Sequence, residues 1–284
     1  MELRELMLVW HWAFYQKSWA KEARLWQEIA RRRLPESAPV SALADWAPLR
    51  ELRPFVIDAA WLHEVRAFYR TGLFVTRFDP TYPPRLAESN QPPLVLFYHG
   101  RLDLLDNVTL AVVGARRATH YTELALRRLG ETLPPLVILS GLAAGADGMA
   151  HRFALSRGWP TVAVVASGLD VAYPAAHREL QQLIGEAGLL LSEYPPRTLP
   201  QKFQFVARNR VIAGLAHGVL VTEAAAHSGS LITANYALQN NREVFALPGR
   251  LDAPLSAGTN ALIQAGAKLI ASGQDIADEL HFFP

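Results

Sequence analysis

The sequence predicts an α/β fold, a mostly parallel sheet with helices on both faces, preceded by a small α-helical unit. Three observations carry this prediction. From about residue 90 onward, short β-rich apolar runs alternate with helical segments. The runs are apolar at successive positions, as strands buried on both faces are. Two of them, Val112-Val113-Gly114 and Leu139-Ser140-Gly141, break into glycine where a helix should begin, which is how parallel sheets present backbone N–H groups to an anion.

Along the chain, Leu3, Leu6, Met7 and Trp10 recur at helical spacing, and Trp19, Leu25, Trp26 and Ile29 form a second set, so residues 1–33 read as helix. The aromatic residues of this stretch are read as the core of a small domain rather than as a docking surface. Pro35, Pro39, Pro48 and Pro54 punctuate the next stretch as turns or a linker. Ala59–Tyr69 reads as helix again, placing a helical domain with its linker at 1–75 and the α/β domain at 76–284. Strands are predicted at Leu94–Tyr98, Thr109–Val113, Leu136–Leu139, Thr161–Val165, Leu189–Leu191, Val219–Val221, Val244–Leu247 and Lys268–Ile270. Helices between them include Glu123–Leu129, Asp147–Ser156 and Leu231–Gln239. Ligands of such sheets bind beyond the carboxyl ends of the strands. The segments at Gly114, Gly141, Gly168 and Glu223 all follow predicted strands and are expected to gather along that edge.

Half of the 284 residues are apolar, enough for a sizeable core. Net charge is only +2, so bulk charge is a weak argument for nucleic acid and the placement of the arginines must decide. With no cysteine, disulfides, thiolate zinc sites and cysteine nucleophiles are excluded. No apolar run approaches the roughly 18 residues of a membrane span. The start, Met1-Glu2-Leu3-Arg4-Glu5, has no secretory pattern, and a cytoplasmic protein is expected.

Four loops carry chemistry. Gly114-Ala115-Arg116-Arg117 combines close backbone approach with guanidinium forks suited to phosphate, although the same residues also make an ordinary βα turn. Ser140 through Asp147 is a second glycine-rich turn; Asp147 and His151, four apart, have no further metal ligands nearby and are read as loop support. In Lys202-Phe203-Gln204-Phe205-Val206-Ala207-Arg208-Asn209-Arg210, cations and aromatics alternate as in single-strand binders. Because Val211, Ile212 and Leu215 look like a buried helix face, one of Arg208 and Arg210 is expected to be a structural ion-pair partner, for instance of Glu193 or Glu223. Ser228-Gly229-Ser230 is placed to cap a helix and offer donors to phosphate. Neither a G-x-S-x-G elbow nor a Walker A sequence is present.

Taken in order, these segments resemble the DNA-processing protein A (DprA/Smf) family. The likeness runs through Tyr82-Pro83, Pro92–Gly100, Val113–Arg116, Ser140–Ala143 with Asp147 and His151, and Gly168-Leu169-Asp170 with Tyr173-Pro174. It continues through Ser192-Glu193, Arg208–Leu215, Glu223 with Ser228–Thr233, Pro248-Gly249 and Gly258–Ile263, covering roughly residues 80 to 270. The resemblance implies an extended Rossmann-like domain that binds single-stranded DNA without metal or nucleotide cofactor and is not an enzyme. It implies a role in natural transformation, protecting incoming strands and helping to load the RecA recombinase, and a homodimer formed through the C-terminal part of the domain. By similarity the pocket draws on Gly114, Arg116, Ser140, Gly141, Lys202, Phe205, Asn209 and Arg210. The loop readings add Ala115, Arg117, Phe203, Ser228, Gly229 and Ser230, and Leu262, Ile263, Leu269 and Ile270 make an apolar patch near the implied dimer contact.

There are departures. Ala115 stands where the family usually has serine, Val206 where proline is frequent, and His177 where asparagine is usual. The helical unit would correspond to the family's sterile-alpha-motif-like domain, but it lacks a clear helix–hairpin–helix glycine signature. The alternative is a nucleoside-monophosphate phosphoribohydrolase-like enzyme, which uses a P-G-G-x-G-T-x-x-E segment. Here Glu223 precedes Ser228-Gly229-Ser230, so that arrangement is not reproduced.

Overall fold

The computed structural model describes residues 1–15 and 19–280. Two helices, α1 (Leu3–Phe14) and α2 (Trp19–Arg32), occupy the stretch read as one helical region, and residues 16–18 between them lie outside the described part. Short α3 (Arg53–Ile57) leads into α4 (Ala59–Thr71), whose N-cap Asp58 accepts the Trp61 N–H as a capping carboxylate should. Trp10 and Phe14 are buried with Leu3, Leu6, Met7, Leu25 and Ile29, so most of the aromatic stripe is core, while Trp19 is 53% exposed. Phe74, Leu94, Val95 and Phe97 belong to the same cluster, and the helical region therefore shares its core with the strands that follow.

Those strands are β1 (Phe74–Thr76) and, after the one-turn helix α5 (Pro84–Ala87), β2 (Val95–Gly100). The alternating part follows: β3 (Thr109–Val113), α6 (His120–Leu129), β4 (Val137–Ser140), α7 (Ala146–Ser156), β5 (Thr161–Val165), α8 (Arg178–Ala187) and β6 (Leu189–Ser192). The chain continues through α9 (Lys202–Leu215), β7 (Gly218–Val221), α10 (Gly229–Gln239), β8 (Glu243–Ala246), α11 (Ala257–Gln264), β9 (Lys268–Leu269) and α12 (Gly273–Leu280). The nine strands form one sheet in the order β1-β2-β6-β5-β4-β3-β7-β8-β9. Pairing from β6 to β9 is parallel, and β1–β2 and β2–β6 are antiparallel. Thus Leu94–Tyr98, correctly read as strand, joins the sheet by an antiparallel edge.

Burial on both faces explains the continuous apolar runs. In β3, Ala111 and Val113 enter one core with Leu139, Val164 and Ile212, while Leu110 and Val112 enter the opposite core with Leu126, Phe153 and Phe245. The strand order reverses direction at β3: β4, β5 and β6 lie successively to one side, β7 and β8 to the other. A crevice opens beyond the carboxyl ends of strands at such a reversal.

Candidate nucleic-acid interface

At that reversal lies a cavity of about 500 Å³, walled by the loops after β3, β4, β5 and β7, by one face of α9 and by the start of α10. A larger hollow, about 670 Å³, sits at the opposite edge among Leu104, Val108, Leu136 and Trp159. Its single cation, Arg101, is paired with Asp103 at 2.8 Å, so that hollow has no free charge to offer a polyanion.

The loop after β3 is fixed by packing. A Cβ on Gly114 would lie 2.5 Å from Thr222 Oγ1 and 2.7 Å from Ala146 Cβ, so only glycine lets the chain turn between these neighbours. The far end is tied down by Glu223. Its buried carboxylate accepts the Thr119 N–H at 2.7 Å, the Thr119 hydroxyl at 2.8 Å and the Thr122 hydroxyl at 2.7 Å. Between these anchors Arg116 is exposed, with its guanidinium carbon 5.0 Å from the centroid of the Phe205 ring.

Helix α9 starts with a reciprocal cap, in which the Gln201 and Gln204 side chains each meet the other's backbone. Lys202, Phe205, Val206 and Asn209 fall on one helical stripe and line the cavity. Arg208 forms its floor. Burial pulls the Arg208 pKa down, while the Asp147 carboxylate opposes that shift. Conversely, burial raises the Asp147 pKa and Arg208 opposes it. Arg208 Nη1 donates to the carbonyls of Gly141 and Val164, the latter at 2.6 Å, and its Nε donates to Asn209 Oδ1 at 3.2 Å. Asn209 Nδ2 in turn donates to the Gly229 carbonyl at 3.3 Å, linking α9 to the start of α10. There Ser228 caps the helix by accepting the Ser230 N–H at 3.3 Å, and Ser228, Gly229 and Ser230 all face the cavity.

Of the residues expected from sequence, Gly114, Arg116, Lys202, Phe205, Asn209, Ser228, Gly229 and Ser230 meet in this cavity. Others do not line it. Ala115 is buried, and its carbonyl accepts the Ala146 N–H. Arg117 and Phe203, the latter 47% exposed, do not line the cavity. Ser140 is fully buried with its hydroxyl donating to the Val112 carbonyl at 2.6 Å, and Gly141 is covered by Arg208. Arg210 needs a correction. It points away from the cavity, pairing with Glu193 through Nη2 and donating to the Gln91 carbonyl at 2.6 Å through Nη1. Helical periodicity holds the reason: five residues after Phe205 is about 140° around the helix, whereas Arg208 is about 60° away. Ile270 is also buried, in the core with Phe245 and Ile276, which leaves Leu262, Ile263 and Leu269 of the apolar patch.

Sequence reasoning does not place Arg208, Asp147 and Tyr173 in the wall. Asp147 and His151 make no bond to each other: Asp147 accepts the Ala143 N–H at 3.3 Å, and His151 Nδ1 meets the Thr161 hydroxyl at 2.7 Å. Glu223 serves the loop and does not line the cavity.

Residues 73–281 match the family model described as DNA recombination-mediator protein A. The DNA processing protein DprA of Streptococcus pneumoniae is 45% identical over 250 residues, 88% of this chain and 87% of that protein. Protein Smf of Escherichia coli is 44% identical over 204 residues, 71% of this chain and 54% of that longer protein. Among solved structures, the X-ray structure of the Streptococcus pneumoniae protein superposes with a TM-score of 0.74 over 76% of this chain and 77% of that one, at 45% identity. A structure of DNA processing protein A from Helicobacter pylori, described for its single-stranded DNA binding mode, superposes with a TM-score of 0.64 over 74% of this chain and 97% of that one, at 32% identity. With its sheet, its loops and these likenesses in agreement, the chain belongs to the DNA recombination-mediator protein A family.

Proposed function

We propose that this chain binds single-stranded DNA in the cavity at the carboxyl edge of its sheet. One observation carries the reading. The wall holds Arg116, Lys202 and Arg208 against a single carboxylate, Asp147, which is itself buried. A cavity with that charge balance, with serine hydroxyls at a helix start and an aromatic side chain between its cations, suits a phosphodiester chain with splayed bases. The Helicobacter pylori relative's described binding mode supports the same assignment. The chemistry offered is binding rather than bond-breaking.

On this reading the protein works in the uptake and recombination of DNA, protecting incoming strands and helping to load the RecA recombinase. It acts as a homodimer through the patch of Leu262, Ile263 and Leu269, so that two cavities engage one strand and gain avidity. The deciding experiment is competition between single-stranded and duplex DNA of matched length across a salt series. Single strands should bind better at every salt concentration, with little sequence preference. Equal or tighter duplex binding at moderate salt would overturn the reading.

A further inference from the structure

Phe205 is not a bare platform for a base. Arg116 already lies over its ring at 5.0 Å, and the Tyr173 ring packs against it with centroids 5.3 Å apart and planes tilted by 51°. An incoming base must therefore find another aromatic surface or displace one of these groups. Tyr173 offers that surface. It lines the same cavity, is 44% exposed, and its hydroxyl makes no hydrogen bond to any described residue. Other tyrosines of this molecule are used differently. Tyr82 and Tyr194 are buried, and the hydroxyls of Tyr82 and Tyr121 donate to the carbonyls of Pro93 and Pro248. Nothing in the core needs the Tyr173 ring and no described residue holds its polar end, so its one ordered ring contact is the cavity's own aromatic.

We propose that Tyr173 is the base-stacking residue of this site, extending the Arg116–Phe205 stack outward so that a base of the strand lies on its open ring face. The inference rests on the single-strand reading above. It assigns the two halves of the ligand to different groups. Arg116, Lys202 and the Ser228–Ser230 turn take phosphates, and Tyr173 takes a base. Stacking of this kind tolerates every base, because each presents a π-face. A purely structural role, in which Tyr173 only props Phe205 in place, makes a different prediction about a ligand that has no bases.

The test compares an oligothymidylate with an abasic strand of the same length and backbone, by fluorescence anisotropy on the full chain. For the unmodified protein the thymidylate should bind more tightly. Tyr173→Ala should lose roughly tenfold in affinity for thymidylate, the scale of one stacked base, and change little toward the abasic strand. Tyr173→Phe should keep full affinity for both. Tyr173→Leu, which fills the space against Phe205 without a π-face, should behave as Tyr173→Ala does. Equal losses on both strands would assign Tyr173 a propping role and overturn the proposal, as would unchanged thymidylate affinity in Tyr173→Ala. Failure of the unmodified protein to bind either strand would instead bring down the single-strand reading, and this inference with it.

Discussion

The Arg116 guanidinium stands 5.0 Å from the centre of the Phe205 ring, joining the loop after β3 to the first turns of α9. These residues are far apart in sequence, and their meeting turns two separate motifs into one wall. Such a cation–π contact at an exposed site contributes about 0.5–1 kcal/mol, enough to bias the arginine's orientation before a strand arrives. The exposed charge of Arg116 is thus held by the aromatic group beside it.

Gly141 and Arg208 form a second dependent pair. A Cβ on Gly141 would lie within 2.4 Å of the guanidinium, which is buried and held in place by the Gly141 and Val164 carbonyls. Gly141→Ala should lower stability by about 1–3 kcal/mol, as overpacking does. It should also weaken single-strand binding by disturbing Arg208 and, through it, Asn209. Denaturant unfolding together with strand titration checks both effects. A variant of unchanged stability and affinity would show that the niche can give.

Arg210 should matter for folding and not for DNA. Its partner Glu193 is buried, so Arg210→Ala leaves a carboxylate unpaired in the interior at a cost of about 3–5 kcal/mol. Replacing the pair together, Arg210→Met with Glu193→Leu, should cost much less. The strand affinity of whatever remains folded should match that of the unmodified protein. A selective loss of DNA binding in the double variant would return Arg210 to the site.

The same cluster predicts a pH dependence. His11 is fully buried, with Nδ1 2.8 Å from Glu22 Oε1 and Nε2 2.6 Å from the Glu193 carbonyl. Both partners are acceptors, so both ring nitrogens donate and the ring is an imidazolium. Burial pulls the His11 pKa down, but the Glu22 and Glu193 interactions together outweigh it and the net shift is upward. A group whose folded pKa is raised contributes stability that is complete below its unfolded value, near 6.5, and is lost as pH rises through the folded one. His151 acts in the opposite sense. Burial lowers its pKa to about 3, so it costs stability as pH falls below about 6.5 toward that value. His11→Gln should therefore reduce the alkaline decline in melting temperature. An unchanged alkaline limb would count against the imidazolium.

Much of the fold is legible in the residues, and the failures have physical causes. Thr109–Val113 can be read to the residue because both its faces are buried, and its run is almost wholly apolar. Strand β1 escapes a sequence reading because three residues, Phe74–Thr76, give no periodicity; it exists through pairing with β2. The loops around Gly114 and Ser228 stand out because glycine and serine mark anion-binding turns in sequence. Ser140 and Gly141 look equally exposed, but the sequence does not show that Arg208 folds over Gly141 or that the Ser140 hydroxyl turns inward to Val112. Arg210, carried over by resemblance, is misassigned because a likeness in residue type does not fix the helix face, and Arg210 lies on the other side of α9. Tyr173 lies in a loop where nothing local signals that its ring will reach Phe205.

Whether the cavity holds phosphates of a single strand is decided by the salt dependence of Arg116→Ala. Arg116 is exposed, so the substitution should leave the melting temperature nearly unchanged. Affinity for an oligothymidylate should fall, most strongly at low salt. The magnitude of the log–log salt slope should drop by roughly 0.7, the value for one phosphate contact on a single strand. Arg116→Lys should recover part of the loss, since a point charge replaces a two-pronged fork. A folded Arg116→Ala protein with full affinity and an unchanged slope would contradict the phosphate assignment and reduce the loop after β3 to a turn.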